Sequence, residues 1–411
     1  MTKTALVIGA GITGVCTAEF LRRAGVAVTL IDRVEPGDPA QTSYGNAGLL
    51  ARVAITPIAD GAMLRKTPMM LLNPQSPLYL KWSYLPRLLP WLAPFIRNMA
   101  PARVAKIIEA IAPLTHDSVD QHLALATGTP AKAFIRTGDY AYYYRRKQDY
   151  LNDLPHNNLL RDNGFDVVLR DRAEMLKHDP EVSAAYAYAA AYPDHGWLTS
   201  PGKYVAALAA HFCAQGGQFR RGEVVDTQNG SVTLDGGDVL SADKIILAAG
   251  AWSGPLAKKL GQKPLLETER GYHLVLNGAS YMPPHPFMVS DAKFVVTPME
   301  GGIRCAGIVE FGGLTAPRSK APLDLLKKRI RQVYPNLTWD SADEWMGFRP
   351  STPDSLPHIG ALRDAPNVIA AFGSQHIGIT IGPRVGRMAA DIALGKRSNL
   401  DLTPYSPERF R

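Results

Sequence analysis

The chain has 411 residues, 46% apolar and 20% charged, which is enough for two domains with separate cores and too apolar for a disordered protein. Its net charge of +8 is concentrated: Arg65, Lys66, Lys81, Arg87, Arg97, Arg103 and Lys106 lie between Asp60 and Glu109 with no acid among them. One basic stretch is a different signal from a basic face, and no nucleic-acid-binding motif accompanies it, so a nucleic-acid partner is set aside. Cys16, Cys213 and Cys305 follow no metal-ligand or disulfide spacing, which points to a reducing compartment and no metal. The start of the chain reads as neither signal peptide nor lipidation site, and no apolar run reaches membrane-spanning length. The expectation is a cytoplasmic protein, with peripheral contact on the inner membrane face left open by the basic stretch.

The first 32 residues read as strand, glycine turn, helix, strand and acid. Thr4 to Gly9 is β-prone, Val15 to Arg23 is helical, Gly25 closes the helix, and Val26 to Ile31 leads to Asp32. Between them stand Gly9, Ala10, Gly11, Ile12, Thr13 and Gly14, a GxGxxG turn that fits a dinucleotide. Gly9 permits the tight turn, Gly11 a close backbone approach to pyrophosphate, and Gly14 close packing of helix on strand. The helix start offers N–H groups and partial positive charge to phosphates, and Asp32 an acceptor to a ribose. The alternative is a βαβ turn that binds nothing.

A polar loop from Arg33 to Gln41 leads into Thr42-Ser43-Tyr44-Gly45-Asn46-Ala47-Gly48-Leu49-Leu50, small residues that let a backbone lie against a ligand. The plain alternative is a surface turn. Residues 56–100 are rich in Pro, Leu, Trp and Met, and the prolines predict only short helical pieces. The basic segment at 61–106, and 77–106 in particular, reads either as a helical subdomain or as a surface that docks on anionic lipid. One helix is expected over 101–127, a strand over 138–144, and helices over 150–160, 174–178 and 201–215. Strands follow at 219–226, including Val224 and Val225, and at 231–235. Ala242 to Ala249 is a buried strand whose end, Ala249, Gly250 and Trp252, passes close to a ligand at the strand-end crevice. Strands from Leu266 to Glu310 predict an antiparallel sheet, and Pro322 to Val333 a helix. Val368 to Phe372 is a strand that enters a glycine loop, Gly373 to Pro383, before a helix over 384–394.

Taken together, the glycine fingerprint with Asp32, Ser43 to Gly48, Ile246 to Gly250, Glu269-Arg-Gly-Tyr-His273, Gly347-Phe-Arg-Pro-Ser-Thr-Pro-Asp354 and Gly373-Ser-Gln-His-Ile-Gly-Ile-Thr380 resemble the D-amino acid oxidase superfamily of FAD enzymes. The closer likeness is to bacterial D-amino acid dehydrogenases, including the D-hydroxyproline dehydrogenase type, from Val7 to about Gly395. Residues 56–100 match only loosely. The resemblance implies a Rossmann-like α/β FAD domain (1–55, 196–262 and 346–411) interleaved with an antiparallel-sheet, α+β substrate domain (56–195 and 263–345).

It also implies non-covalent FAD, because no cysteine stands in the Gly347 motif. Phosphates would sit at Gly9 to Gly14, the ribose at Asp32 and Arg33, and adenine at Val224 and Val225. Ser43, Asn46, Ala47, Gly48 and Leu49 would follow the pyrophosphate and flavin, with Ala249, Gly250 and Trp252 lining the groove. Gly373, His376, Ile377, Gly378, Ile379 and Thr380 would bring N–H groups to the flavin. The implied activity is oxidation of a D-amino acid or proline-like secondary amine, Cα hydride passing to flavin N5 and electrons onward to quinone or another acceptor. Arg349 would hold the substrate carboxylate, a bond suited to a planar guanidinium, although an arginine can equally be spent on backbone carbonyls. Arg270 is a second candidate, unless Glu267 or Glu269 pairs with it. Tyr44, Tyr272, His273 and His376 are candidate pocket groups. Two other readings fit the same pattern: a glycine, sarcosine or opine-type amine oxidase using oxygen, and a flavin-binding subunit of a larger dehydrogenase.

Overall fold

The computed structural model describes residues 2–58, 73 and 76–410. Arg65, Lys66 and most of 61–75 in the expected basic segment lie outside the described residues. Apolar β-branched runs build a six-stranded sheet in the order His358–Leu362, Ala365–Phe372, Lys244–Leu247, Thr4–Ile8, Ala27–Asp32, Gln218–Arg221. Every neighbouring pair is parallel except the first. Both faces are covered, as a parallel sheet requires. Helices Ile12–Arg23, Pro201–Ala214 and Gly378–Ala393 pack on one side around Val7, Leu30 and Ile246. On the other side Leu6, Ile8 and Ile245 meet the three-stranded antiparallel sheet of Val224–Thr227, Ser231–Leu234 and Val239–Ser241, and helix Ser253–Lys259.

The second sheet has ten strands, with Ser341–Ser351, Glu267–Asn277, Gly302–Phe311 and Phe294–Met299 at one end. It is mixed rather than antiparallel throughout. Phe287–Val289 runs parallel to Ile135–Tyr144, and Leu78–Leu80 parallel to Gly302–Phe311. Helix Ala321–Val333 covers one face of Glu267–Asn277 and Gly302–Phe311, burying Tyr272, Leu274 and Cys305. The other face turns toward the six-stranded sheet's loops. Tyr188–Leu198, Ser341–Ser351 and Leu49–Leu50 all belong to this sheet, so its strands run past the expected boundaries at 196 and 346 and reach back into 1–55.

Four helices differ from expectation. Leu85–Asn98 is continuous although it contains Pro90 and Pro94. Pro86, in the first turn, and Pro90 are exposed and Pro94 is half-buried, so prolines four residues apart keep the forgone hydrogen bonds toward the solvent side of the helix. The expected helix over 101–127 is two, Pro101–Thr115 and Ser118–Ala126, and the Arg52 guanidinium takes the His116 carbonyl at the break. The helix over 150–160 is likewise split at Asp153, with Pro155 opening the second piece. The last helix starts at Gly378, six residues before the expected Arg384, despite Pro383. Pro383 cannot bond the Ile379 carbonyl, and buried His122 Nε2 donates to it instead at 2.8 Å.

Candidate active site

A cavity of about 380 Å³ lies at the strand ends of the six-stranded sheet. Its walls include Gly9, Gly11, Ile12, Thr13, Asp32 and Arg33 from the first βαβ unit. A side chain at Gly9 would meet the Ala248 carbonyl at 2.4 Å, and one at Gly14 would lie 1.7 Å from the Gly9 carbonyl. Gly14 therefore serves helix–strand contact, and neither it nor Ala10 lines the cavity. A Cβ at Gly11 would meet only Ser43 Oγ, at 3.2 Å, so the cavity side of Gly11 is open. Ser43 Oγ accepts the Ile12 N–H at 3.0 Å and caps the helix from a distant loop, while the Gly11 and Thr13 amides have no acceptor among the described residues.

Asp32 accepts from Ala10 N (2.7 Å), Gln41 Nε2 (3.0 Å) and Val34 N (3.2 Å). Burial raises its pKa, and these three donors oppose the shift. Arg33 lies over the Trp252 ring at 4.0 Å, and Trp252 packs edge-on against Phe348. Ser43, Asn46, Val224, Val225, Ala249, Gly250, Trp252, Gly373, Gly378 and Ile379 complete the expected lining.

Ala47, Gly48, Leu49, His376, Ile377 and Thr380 are close by but off this wall. Asn46 joins two of the segments: its Nδ2 donates to the His376 carbonyl at 3.0 Å and its Oδ1 accepts from Gly48 N at 2.9 Å. Thr380 Oγ1 donates to the Leu49 carbonyl at 3.0 Å. The reading from sequence passed over Gln41, Lys259, Ser374 and Gln375, which also line the cavity. Gln41 is placed by Asp32, and Gln375 by Thr352, and neither contact has a motif in the sequence.

Arg349 stands opposite Glu269 in the pairing of Ser341–Ser351 with Glu267–Asn277, on the face turned to the six-stranded sheet. Gly271 leaves the room for it, since a Cβ there would lie 2.5 Å from Arg349 Nε. The guanidinium has no hydrogen bond or ion pair within 4 Å among the described residues, and it keeps some solvent contact although protein surrounds it. Burial lowers its pKa and Glu269 opposes this; Glu269 is itself raised by burial and held back by Arg349.

His273 and His376 lie near enough for Arg349 to depress both. His376 is exposed by surface yet enclosed by protein, as a cleft wall is, and desolvation first and Arg349 second push it down to about 4. Both imidazoles are therefore neutral at neutral pH. The His273 ring stacks on Trp345 at 4.9 Å, with Tyr44 6.5 Å from each.

Arg270 and Tyr272 are corrections to the expected pocket. They alternate with Gly271 and His273, and so face the opposite side of the sheet. Arg270 is fully buried against Glu310 at 2.7 Å and the carbonyls of Ala316 and Pro317, and Tyr272 donates to the same Glu310 at 2.7 Å. They build a core ion-pair network. Neither Glu267 nor Glu269 is the partner.

The family model described as DAO, FAD dependent oxidoreductase, matches residues 4–392. The chain is 34% identical to a D-amino-acid oxidase of Bradyrhizobium diazoefficiens over 98% of each sequence. It is 28% identical to a D-amino acid dehydrogenase of Dechloromonas aromatica over 95% of this chain and 97% of that one. Among solved structures, glycine oxidase from Geobacillus kaustophilus superposes with a TM-score of 0.75 at 20% identity, covering 99% of both chains.

Proposed function

The chain belongs to the DAO family of FAD-dependent oxidoreductases, and from that premise we propose that it oxidises a D-α-amino acid, held by its carboxylate on Arg349, and passes the electrons to an acceptor other than oxygen. The residues fit FAD. The Gly9–Gly14 contact leaves no room for a side chain at either glycine, the Gly11 and Thr13 amides await an acceptor, and Asp32 stands at the end of the second strand. FAD, when bound, would supply the two-electron acceptor for the hydride leaving the substrate Cα.

The observation that carries the substrate reading is the uncommitted Arg349 guanidinium on the sheet face that turns to the cofactor side. A carboxylate completes its hydrogen bonds in bidentate fashion and fixes the position of the amine and Cα–H. Neutral His273 and His376 flank the clamp without adding charge, so the substrate amine need not approach a further cation. The names of the two curated relatives support the D-enantiomer. Arg349→Ala should raise KM and lower kcat/KM by about a hundredfold or more, given roughly 2–5 kcal/mol for truncating one partner of a buried charge pair. Near-normal steady-state kinetics would reject the clamp.

The acceptor reading is supported by helix Leu85–Asn98. Trp91 is buried and donates to the Ser351 carbonyl at 3.0 Å, so the helix packs beside the Arg349 strand. Its outer side exposes Leu89 and Ile96 with Arg87 and Arg97, and Trp82 stands just before it. Apolar and cationic groups side by side suit reversible docking on an anionic membrane from the cytoplasmic side, where a quinone is within reach. Binding to vesicles with acidic headgroups should fall in a Trp82→Ser, Leu89→Ser, Ile96→Ser variant. A wild-type protein that ignores such vesicles, or that makes peroxide faster than it reduces a quinone, contradicts this part.

A further inference from the structure

The loop from Pro39 to Asn46 is fastened to the second sheet through its backbone. Trp345 Nε1 donates to the Pro39 carbonyl at 2.7 Å. Arg304 Nη1 donates to the carbonyls of Tyr44 (3.0 Å) and Asn46 (2.5 Å), and His273 Nδ1 to that of Gly45 (2.9 Å). A carbonyl can only accept, so His273 carries its proton on Nδ1. Three consecutive carbonyls therefore point at the sheet.

In a trans peptide the N–H of the next residue points the opposite way. The amides of Gly45, Asn46 and Ala47 are thus turned from the sheet, on the side where Ser43 and Asn46 line the cavity. Asn46 N has only a 3.5 Å contact to Ser43 O, and neither Gly45 N nor Ala47 N has an acceptor among the described residues. Gly45 is buried, and a buried N–H without a partner is costly unless a ligand supplies one. Arg304 is also buried, and among the described residues no carboxylate lies within salt-bridge distance of it. Gly45 has a second reason to be glycine: a Cβ there would lie 2.1 Å from the Trp345 ring.

We propose that Arg304 and His273 are positioning residues that hold the Tyr44–Asn46 carbonyls against the sheet, so that the Gly45 and Ala47 amides are offered to the electron-accepting ring of FAD. Donors fixed beside a ring that gains negative charge on reduction favour the reduced form. The proposal rests on FAD binding alone, and its test needs no substrate.

Wild type, His273→Phe, His273→Asn, Arg304→Met and Arg304→Lys are compared by FAD affinity, visible flavin spectrum and midpoint potential. Asn keeps a donor near Nδ1, and Lys keeps the charge. His273→Phe and Arg304→Met should bind FAD at least tenfold more weakly and shift the spectrum. Their preference for reduced over oxidised FAD should fall about tenfold, which is about 30 mV for a two-electron couple. His273→Asn and Arg304→Lys should recover most of each loss. Disruptive variants indistinguishable from wild type overturn the proposal, as do conservative variants impaired as much as the disruptive ones. A wild-type protein that binds FAD but oxidises no amino acid fails the substrate reading and leaves this test intact.

Discussion

Two glycines of the same turn, Gly11 and Gly14, have separable roles. Gly14→Ala places a methyl 1.7 Å from the Gly9 carbonyl, so the helix must move and FAD binding should be lost along with thermal stability. Gly11→Ala meets only Ser43 Oγ, at 3.2 Å. It should keep the apo fold while weakening FAD, measured by thermal shift with and without the cofactor; equal loss of apo stability in both variants would contradict the assignment. The arginines separate in the same way. Arg270→Met leaves Glu310 buried without its closest cation and should cost about 3–5 kcal/mol of stability. Arg349→Ala should instead act on KM. The sequence carried Arg270, Tyr272 and His273 as one group because the parity of the strand was invisible. Helix Ala321–Val333 buries one face and the cofactor side encloses the other, so no polar–apolar alternation marks which residues face the ligand.

Among the elements, those with a strong period or a glycine punctuation were legible: the first βαβ unit, the Lys244–Leu247 strand and the Ala321–Val333 helix all stand where the pattern put them. Proline was twice over-read as a helix breaker. Leu85–Asn98 carries its prolines toward its solvent side, and Gly378–Ala393 tolerates Pro383 because His122 bonds the freed Ile379 carbonyl from another helix. That second solution depends on a tertiary contact and leaves no local trace. It also makes a pH prediction. Burial holds His122 neutral and its pKa down at about 4, below the usual 6.5. Between those values the unfolded chain binds a proton that the folded chain does not, so this residue's contribution to stability is lost as pH falls from about 6.5 to about 4. His122→Gln keeps a donor for the Ile379 carbonyl and cannot titrate. Its stability should fall less steeply than that of wild type across this window in denaturant titrations. Parallel slopes would refute the assignment.

At the scale of the molecule, the ligand cavity is assembled from segments far apart in the chain, among them those around Gly9, Asn46, Val224, Ala249 and Gly378. None was specific alone, and their order along the chain carried the family resemblance. The division into two domains was harder to read, because strands such as Ser341–Ser351 leave one sheet and deliver their ends to the other unit's cavity. That crossing is also what brings Arg349, beside the cavity-lining Pro350, from the edge of the ten-stranded sheet to the cavity side. The most direct test of the account is anaerobic bleaching of the bound FAD with a panel of D- and L-amino acids and the amines that lack their carboxylates. The account predicts bleaching by one or more D-amino acids, little or none by their L-enantiomers or the decarboxylated amines, and a large loss of the D-response in Arg349→Ala. Bleaching by the amine as fast as by the acid, or a D-response unchanged in Arg349→Ala, would contradict it.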